Sequence, residues 1–454
     1  MEFIYNAFQT ILSAGAYVML PLIITLVGAV FGMKISKAFR SGLTVGIGFV
    51  GIKLVIDMLA ANIGPASKAM VENFGLSLDI IDVGWGAIAS VTWASPIIPI
   101  LIGVILLVNI VMLILKLTDT LDVDIWNYHH LAIVGVMVFY VTNNIFIAVC
   151  ASAVMAIITF KLSDWTSPLV ENFFGIPDIS IPTMSFLTSI VLYPLHWVYD
   201  RIPGLNKLKL DLNDASKYLG VFGEPTVLGF ILGIVIGFLA KYDVVKAFNL
   251  GVHMAAVMVI IPKMTALFVE GLMPISEAAT EFTKKRFKGR KFLIGLDAAI
   301  VVGDSRVITT ALILIPLTIL IAAVLPGNRV MPFADLAVVT FRIALLVALS
   351  KGNFLKSIVL GLVMMGMVLI FGTMTAPVLT SLATSIGLDF NGQMISSFAA
   401  TSMPISFIIF QLFTSNLIIT VPVLILGFGT IYYFCEKNYK NYKATREQAT
   451  SEGN

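Results

Sequence analysis

The residues of this chain most able to do chemistry are a few acids, amides and hydroxyls set inside long apolar runs. Burying an ionisable side chain in a bilayer costs at least ~2.5 kcal/mol, so each one asks for a function or a partner. Glu224 stands in Phe222-Gly223-Glu224-Pro225, at the head of an apolar stretch. Pro225 suits the first turn of a helix, and Glu224 suits that helix's positive end. Its carboxylate either caps the helix at the interface or accepts hydrogen bonds from a ligand's hydroxyls. Asp297, in Gly295-Leu296-Asp297, opens another apolar run with no base beside it. It too is either a cap or part of a site. Asp304 and Arg306 follow closely and can pair with each other.

His130 comes after Asp124, Trp126 and His129. Such a cluster is either an interfacial belt or a polar site. Asn143 and Asn144 fall in the middle of the apolar run 131–158, and two adjacent amides cannot both face one neighbouring helix. Amides there bond between helices or bind a polar ligand. Thr92, Trp93 and Ser95 precede Pro96. Hydroxyls beside an aromatic face suit a sugar-like molecule, and a packing tryptophan is the plain alternative. No glycine-rich loop followed by Lys-Ser/Thr occurs, no zinc-type spacing, and no nucleophile, base and acid in a recognisable arrangement. No catalytic residue, cofactor or metal is therefore expected, and transport must draw on a gradient or a partner.

These residues must be held by membrane helices. Hydrophobic residues make up 58% of the 454-residue chain and charged residues 12%, with mean hydropathy +0.98. Soluble domains carry about 25% charged residues. The apolar runs are long and do not alternate, so the fold class is an all-α polytopic membrane protein. The net charge of +3 sits in short loops and points to no nucleic acid. Strong spans are expected near 13–33, 42–63, 97–117, 131–158, 222–240, 252–273, 307–325, 333–350, 354–373 and 417–435. Interrupted ones, read as re-entrant or broken helices, lie near 82–96, 183–200, 292–304 and 396–413. Six of the eight residues 284–291 are basic. The positive-inside rule puts that stretch, Lys34–Arg40 and the C-terminal tail in the cytoplasm. An outside N-terminus then requires an odd number of crossings, about eleven.

The chain also repeats itself. Lys37-Ala38-Phe39 recurs 209 residues later as Lys246-Ala247-Phe248, and Gly42, Val50, Pro65, Ser67 and Ala69 recur at the same offset. Halves of about 13–128 and 222–335, inverted relative to each other, are expected within one permease domain, 1–435, before a tail, 436–454. Such repeats hold substrate between them near the bilayer midplane.

Several motifs together carry a resemblance: Gly46-Ile47-Gly48-Phe49-Val50-Gly51, Val83-Gly84-Trp85, Thr92-Trp93-Ala94-Ser95, Val123-Asp124-Ile125-Trp126-Asn127, Phe222-Gly223-Glu224-Pro225 and Phe292-Leu293-Ile294-Gly295-Leu296-Asp297. From about residue 10 to 435 the chain resembles the galactitol-specific enzyme IIC family of the phosphoenolpyruvate-dependent sugar phosphotransferase system. That resemblance implies a bacterial inner-membrane permease, homodimeric like its ascorbate relatives. It would bind a sugar alcohol and hand it to a separate phosphorylated IIB protein, itself charged through IIA. The chain departs from the galactitol pattern at two places. Ile181-Pro182-Thr183 stands where Ile-Pro-His is expected, and Gly303-Asp304-Ser305 lacks an expected histidine. Thr183 therefore joins the candidate binding residues and makes another hexitol or a pentitol credible. The competing class is an ion-coupled secondary transporter using Glu224, Asp297 and Asp304.

Overall fold

A computed structural model of the chain describes residues 16–74, 78–122, 124–203, 224–286, 292–388, 390, 392–415, 422, 425, 429, 432, 433 and 435–444. The basic stretch from 287 to 291, most of the polar 200–220 loop, most of the 417–435 segment and the chain after 444 lie outside the described residues.

The elements come in one order, twice. The first series is α1 (Ala16–Val30), α2 (Ile35–Phe74), β1 (Ile80–Asp82), α3 (Trp85–Trp93), α4 (Ile98–Ile114), β2 (Thr120–Asp122), a 3-10 turn (Ile125–Asn127), α5 (Tyr128–Thr142), α6 (Ile145–Phe174), β3 (Ile179–Ser180), α7 (Met184–Leu187) and α8 (Tyr193–Arg201). The second is α9 (Pro225–Leu239), α10 (Val244–Arg286), β4 (Leu293–Gly295), a 3-10 turn (Ala298–Ile300), α11 (Ser305–Val324), β5 (Val330–Met331), a 3-10 turn (Ala334–Val338), α12 (Val339–Leu349), α13 (Phe354–Ser385), β6 (Met394–Ser396), a 3-10 turn (Ala400–Ser402) and α14 (Pro404–Thr414). The correspondence of elements continues past residues 128 and 335. A further helix, α15, covers 435–444.

The repeated residues mark a repeated contact. Glycine and alanine let α1 lie close on α2, and α9 on α10. A Cβ added to Gly28 would come 2.9 Å from the Ala38 Cβ, and one added to Gly237 would come 2.9 Å from the Ala247 Cβ. Gly42 lies against the Pro21 carbonyl, and Gly251 against that of Phe230. Both contacts recur at the sequence offset of 209. The tightest approach between α9 and α10 is Gly233, where a Cβ would meet the Gly251 Cα at 2.6 Å. Gly233→Val should therefore cost about 1–3 kcal/mol by overpacking, read as a lower Tm in detergent. An unchanged Tm would mean that α9 and α10 separate freely.

Among the described residues, six helices hold stretches long and apolar enough to cross a membrane: Ile35–Leu59, Ile125–Thr142, Ile145–Phe174, Val244–Ile275, Ser305–Val324 and Phe354–Ser385. The pair α3 and α4, bent by 99°, makes a seventh if taken as one span. Pro96 explains the bend, because it lacks an N–H and disfavours helix at Ser95. The expected eleven crossings are not reached among the described residues. The helices α1, α9 and α14 have 15, 15 and 11 residues, short of the ~20 a crossing needs.

The expected single span 131–158 is instead two helices. Asn143 takes the left-handed conformation, φ 49°, and its N–H caps α5 on the Phe139 carbonyl at 2.7 Å. Asn144 is extended, and its Oδ1 accepts from the Ile147 N–H at 3.2 Å. Asparagine tolerates the first role and favours the second, so the pair turns the chain where hydropathy alone sees continuity.

The six strands among the described residues form two three-stranded parallel sheets. β1 lies between β5 and β6, and β4 lies between β2 and β3. Each sheet thus takes its centre from one half and both edges from the other. Buried acids staple the strand ends. Asp82 accepts from the N–H groups of Gly84 (3.1 Å), Phe333 (3.0 Å) and Asp335 (2.9 Å). Asp335 accepts from the Trp85 N–H (2.8 Å), the Ser397 hydroxyl (2.6 Å) and the Phe398 N–H (2.7 Å). At the other sheet the Asp164 Oδ1 gathers both hydroxyls and the two N–H groups of Thr118–Thr120, at 2.9–3.1 Å.

Candidate functional site

The strands within each sheet are parallel, so their C-terminal ends emerge together. The segments leaving both sheets converge on one cleft of about 420 Å³. Trp85 follows β1, Asp124 and Trp126 follow β2, Thr183 follows β3, Asp297 follows β4 and Ala399 follows β6. The helix α10, which carries Pro262 and Pro274 in its interior, closes one side with Pro262, Val269 and Glu270, while α12 adds Phe341 and Arg342. The volume falls in the ordinary range for small-molecule sites, roughly 300–1,000 Å³.

One edge is a hydroxyl between a carboxylate and a side-chain amide. The Thr183 Oγ1 lies 3.3 Å from the Asp297 Oδ2 and 3.2 Å from the Asn127 Oδ1, and it accepts from the Ala298 N–H at 3.2 Å. Its single proton serves only one of the two oxygens at a time. The Asp297 Oδ1 accepts from the Ala299 N–H at 2.8 Å. Asp124 accepts from the Trp126 N–H at 3.1 Å and the Asn127 amide at 3.4 Å. A carboxylate offers about four lone-pair sites, so both acids keep room for ligand hydroxyls.

The other walls are aromatic and cationic. Trp85 and Trp126 meet edge to face at 5.6 Å. Trp126 leads to His129 at 4.6 Å, and His129 to His130 at 4.0 Å. The His129 Nδ1 bonds the Trp126 carbonyl at 2.6 Å. His130 lines the cleft and its Nδ1 has no partner. Arg342 is only 1% exposed, and its Nε donates to the Phe398 carbonyl at 3.1 Å. One of its terminal nitrogens, Nη1, has no partner although Arg342 borders the cleft. Hydroxyl acceptors, a spare donor and aromatic faces together suit a neutral polyhydroxyl ligand.

Of the residues expected at a site, the structure brings together His130, Thr183 and Asp297. Thr92 is buried within α3 and donates to its own helix, at the Ile88 carbonyl, 2.9 Å. Asn143 and Asn144 form the exposed turn between α5 and α6. Glu224 is exposed at the head of α9, with no side-chain cap bond, outside the cleft lining. Glu224→Gln should accordingly leave polyol binding by the purified protein within about twofold of wild type. A larger loss in equilibrium binding would bring Glu224 into contact with ligand in another conformation. Asp304 pairs with Arg306 at 2.9 Å. The Arg306 guanidinium holds the Asp304 carboxyl below the usual carboxylate range. Among the described residues no cluster of His, Cys, Asp and Glu could hold a metal.

Two cleft residues escaped the sequence reading. Arg342 is a lone base within the 333–350 run, and Glu270 a lone acid within 252–273. Both carry the signal that singled out Asp297, an ionisable group in an apolar stretch.

The family profile described as PTS system sugar-specific permease component matches residues 10–393. The chain belongs to this family of phosphotransferase-system permeases. Its relatives include the "PTS system galactitol-specific EIIC component" of Escherichia coli K12, 39% identical over 424 residues and 93% of each chain. The homologue of the same description in Escherichia coli O157:H7 matches equally. A "Putative permease IIC component" of the K12 strain is 38% identical over 387 residues, 85% of this chain and 89% of its own. A permease of this system is a bacterial membrane protein that works with IIB and IIA partners.

Proposed function

We propose that the chain is the membrane permease for a sugar alcohol, galactitol or a similar polyol, moved together with phosphorylation by a separate IIB protein that IIA supplies. The observation that carries this reading is the cleft: two carboxylates with free acceptor sites, an unpaired buried Arg342 donor and two tryptophan walls. Thr183 sits where the galactitol pattern expects histidine, so other hexitols and pentitols stand beside galactitol as substrates to be tested. The working form is a homodimer in the bacterial inner membrane with the C-terminus cytoplasmic. The basic stretch 284–291 shares that side and steers IIB by charge.

The alternative is an ion-coupled carrier, favoured by the acids in the cleft. Uptake of labelled polyols, in a host lacking its own permease, separates the two. With IIB, IIA and phosphoenolpyruvate supplied, uptake should survive an ionophore and vanish when IIB is omitted. Loss with the ionophore, and persistence without IIB, would establish the ion-coupled carrier instead.

A further inference from the structure

A second cavity of about 380 Å³ lies between α6, α8, the start of α13 and α15. Its walls include Trp165, Tyr193, His196, Lys351, Lys356 and Tyr439. The side containing α15 is fastened rather than loosely draped. The Tyr439 hydroxyl donates to Asp119 at 3.0 Å, Lys443 meets the same carboxylate at 2.7 Å, and the Trp165 indole donates to Glu436 at 2.6 Å.

His196 is the informative group. It is 5% exposed, lines the cavity, and neither ring nitrogen has a partner. A neutral imidazole needs one acceptor and one donor opposite it, and leaving both unmet destabilises the fold. Its surroundings are basic. Lys356 is buried and pairs with the Asp200 carboxylate at 2.7 Å, while Lys351 stands exposed in the turn before α13. Two lysines face one carboxylate, so the cavity carries an excess positive charge. The first cleft is the reverse, with Asp124, Asp297 and Glu270 against Arg342. An anion is repelled by the first and drawn to the second.

We propose that this second cavity binds a phosphomonoester of a small polyol. The phosphoryl oxygens meet Lys351 and one nitrogen of His196, a ligand hydroxyl satisfies the other nitrogen, and the carbon chain lies on the aromatic faces. The identity of the ester rests on the proposed function, in which such a compound is made on the side carrying α15.

Purified full-length protein in detergent is titrated with a hexitol phosphate, with the unphosphorylated hexitol and inorganic phosphate as comparators, by calorimetry. The hexitol phosphate should bind, inorganic phosphate should compete more weakly, and Lys351→Gln should weaken the ester by about tenfold. Asp297→Asn should leave ester binding unchanged. His196→Gln tests the same wall, and the exposed Lys351 keeps the test decisive if that variant fails to fold. The proposal falls if Lys351→Gln binds the ester like wild type, if no ester binds, or if Asp297→Asn abolishes binding and so places the ester in the first cleft. Inorganic phosphate binding as tightly as the ester would also overturn it. Ester binding without any binding of free polyols would leave this site standing and sink the proposed substrate.

Discussion

Asp297→Asn removes polyol uptake while leaving the protein folded in the membrane. The substitution keeps the shape: the amide oxygen still accepts from the Ala299 N–H, which lies 2.8 Å from the Asp297 carboxylate, and the amide NH2 takes the place of the oxygen 3.3 Å from the Thr183 hydroxyl and donates to it. What it removes is the charge and the acceptor-only character that ligand hydroxyls use. A hydrogen bond to a charged group contributes about 1.5–3 kcal/mol, so binding should weaken between about tenfold and a hundredfold. Equilibrium binding of labelled polyol to purified protein measures this directly. Expression and Tm close to wild type must accompany the loss. Full binding by a well-folded Asp297→Asn would take that acid out of the site.

Arg342→Leu should damage the fold itself. Arg342 lies in the field of Asp335 and Asp82, the two buried acids that staple β1, β5 and β6. Stripping one partner from a buried charge arrangement costs about 3–5 kcal/mol, because the remaining charge is left uncompensated. A steep fall in Tm or in membrane yield is expected. Arg342→Lys keeps the charge but loses the planar fork, and with it the combination of the Phe398 carbonyl bond and the spare donor. It should fold and bind polyol more weakly. An Arg342→Leu protein as stable as wild type would mean that the acids are not balanced by this guanidinium.

The class of fold was legible because hydropathy and charge report directly on the solvent a helix can face. Ala38, Gly42, Ala247 and Gly251, which recur at one offset in the sequence, lie at helix contacts that leave little room for a larger side chain. Hydropathy could not see the turn at Asn143-Asn144, since two polar residues barely lower the average of a long apolar run. Nor could it see six strands of two or three residues, which exist only through partners far along the chain. At the site, Asp297 and His130 were found as polar groups in apolar surroundings, and Thr183 through a departure from a family pattern. Arg342 and Glu270 carried the first signal and were passed over. Thr92 carried it as well, but its own helix satisfies its hydroxyl. Sequence shows that a polar group is buried, and only the fold shows whether a neighbour has already satisfied it.

The exchange of strands between halves has a consequence for biogenesis. The centre of the first sheet is made early in synthesis, but its edges, β5 and β6, leave the ribosome much later: Asp79, just before β1, finds Arg329 250 residues further on. Until then β1 has both edges unpaired, a state that favours wrong pairing. Neither half can finish its own sheet, so a halved gene would yield two proteins each waiting for the other.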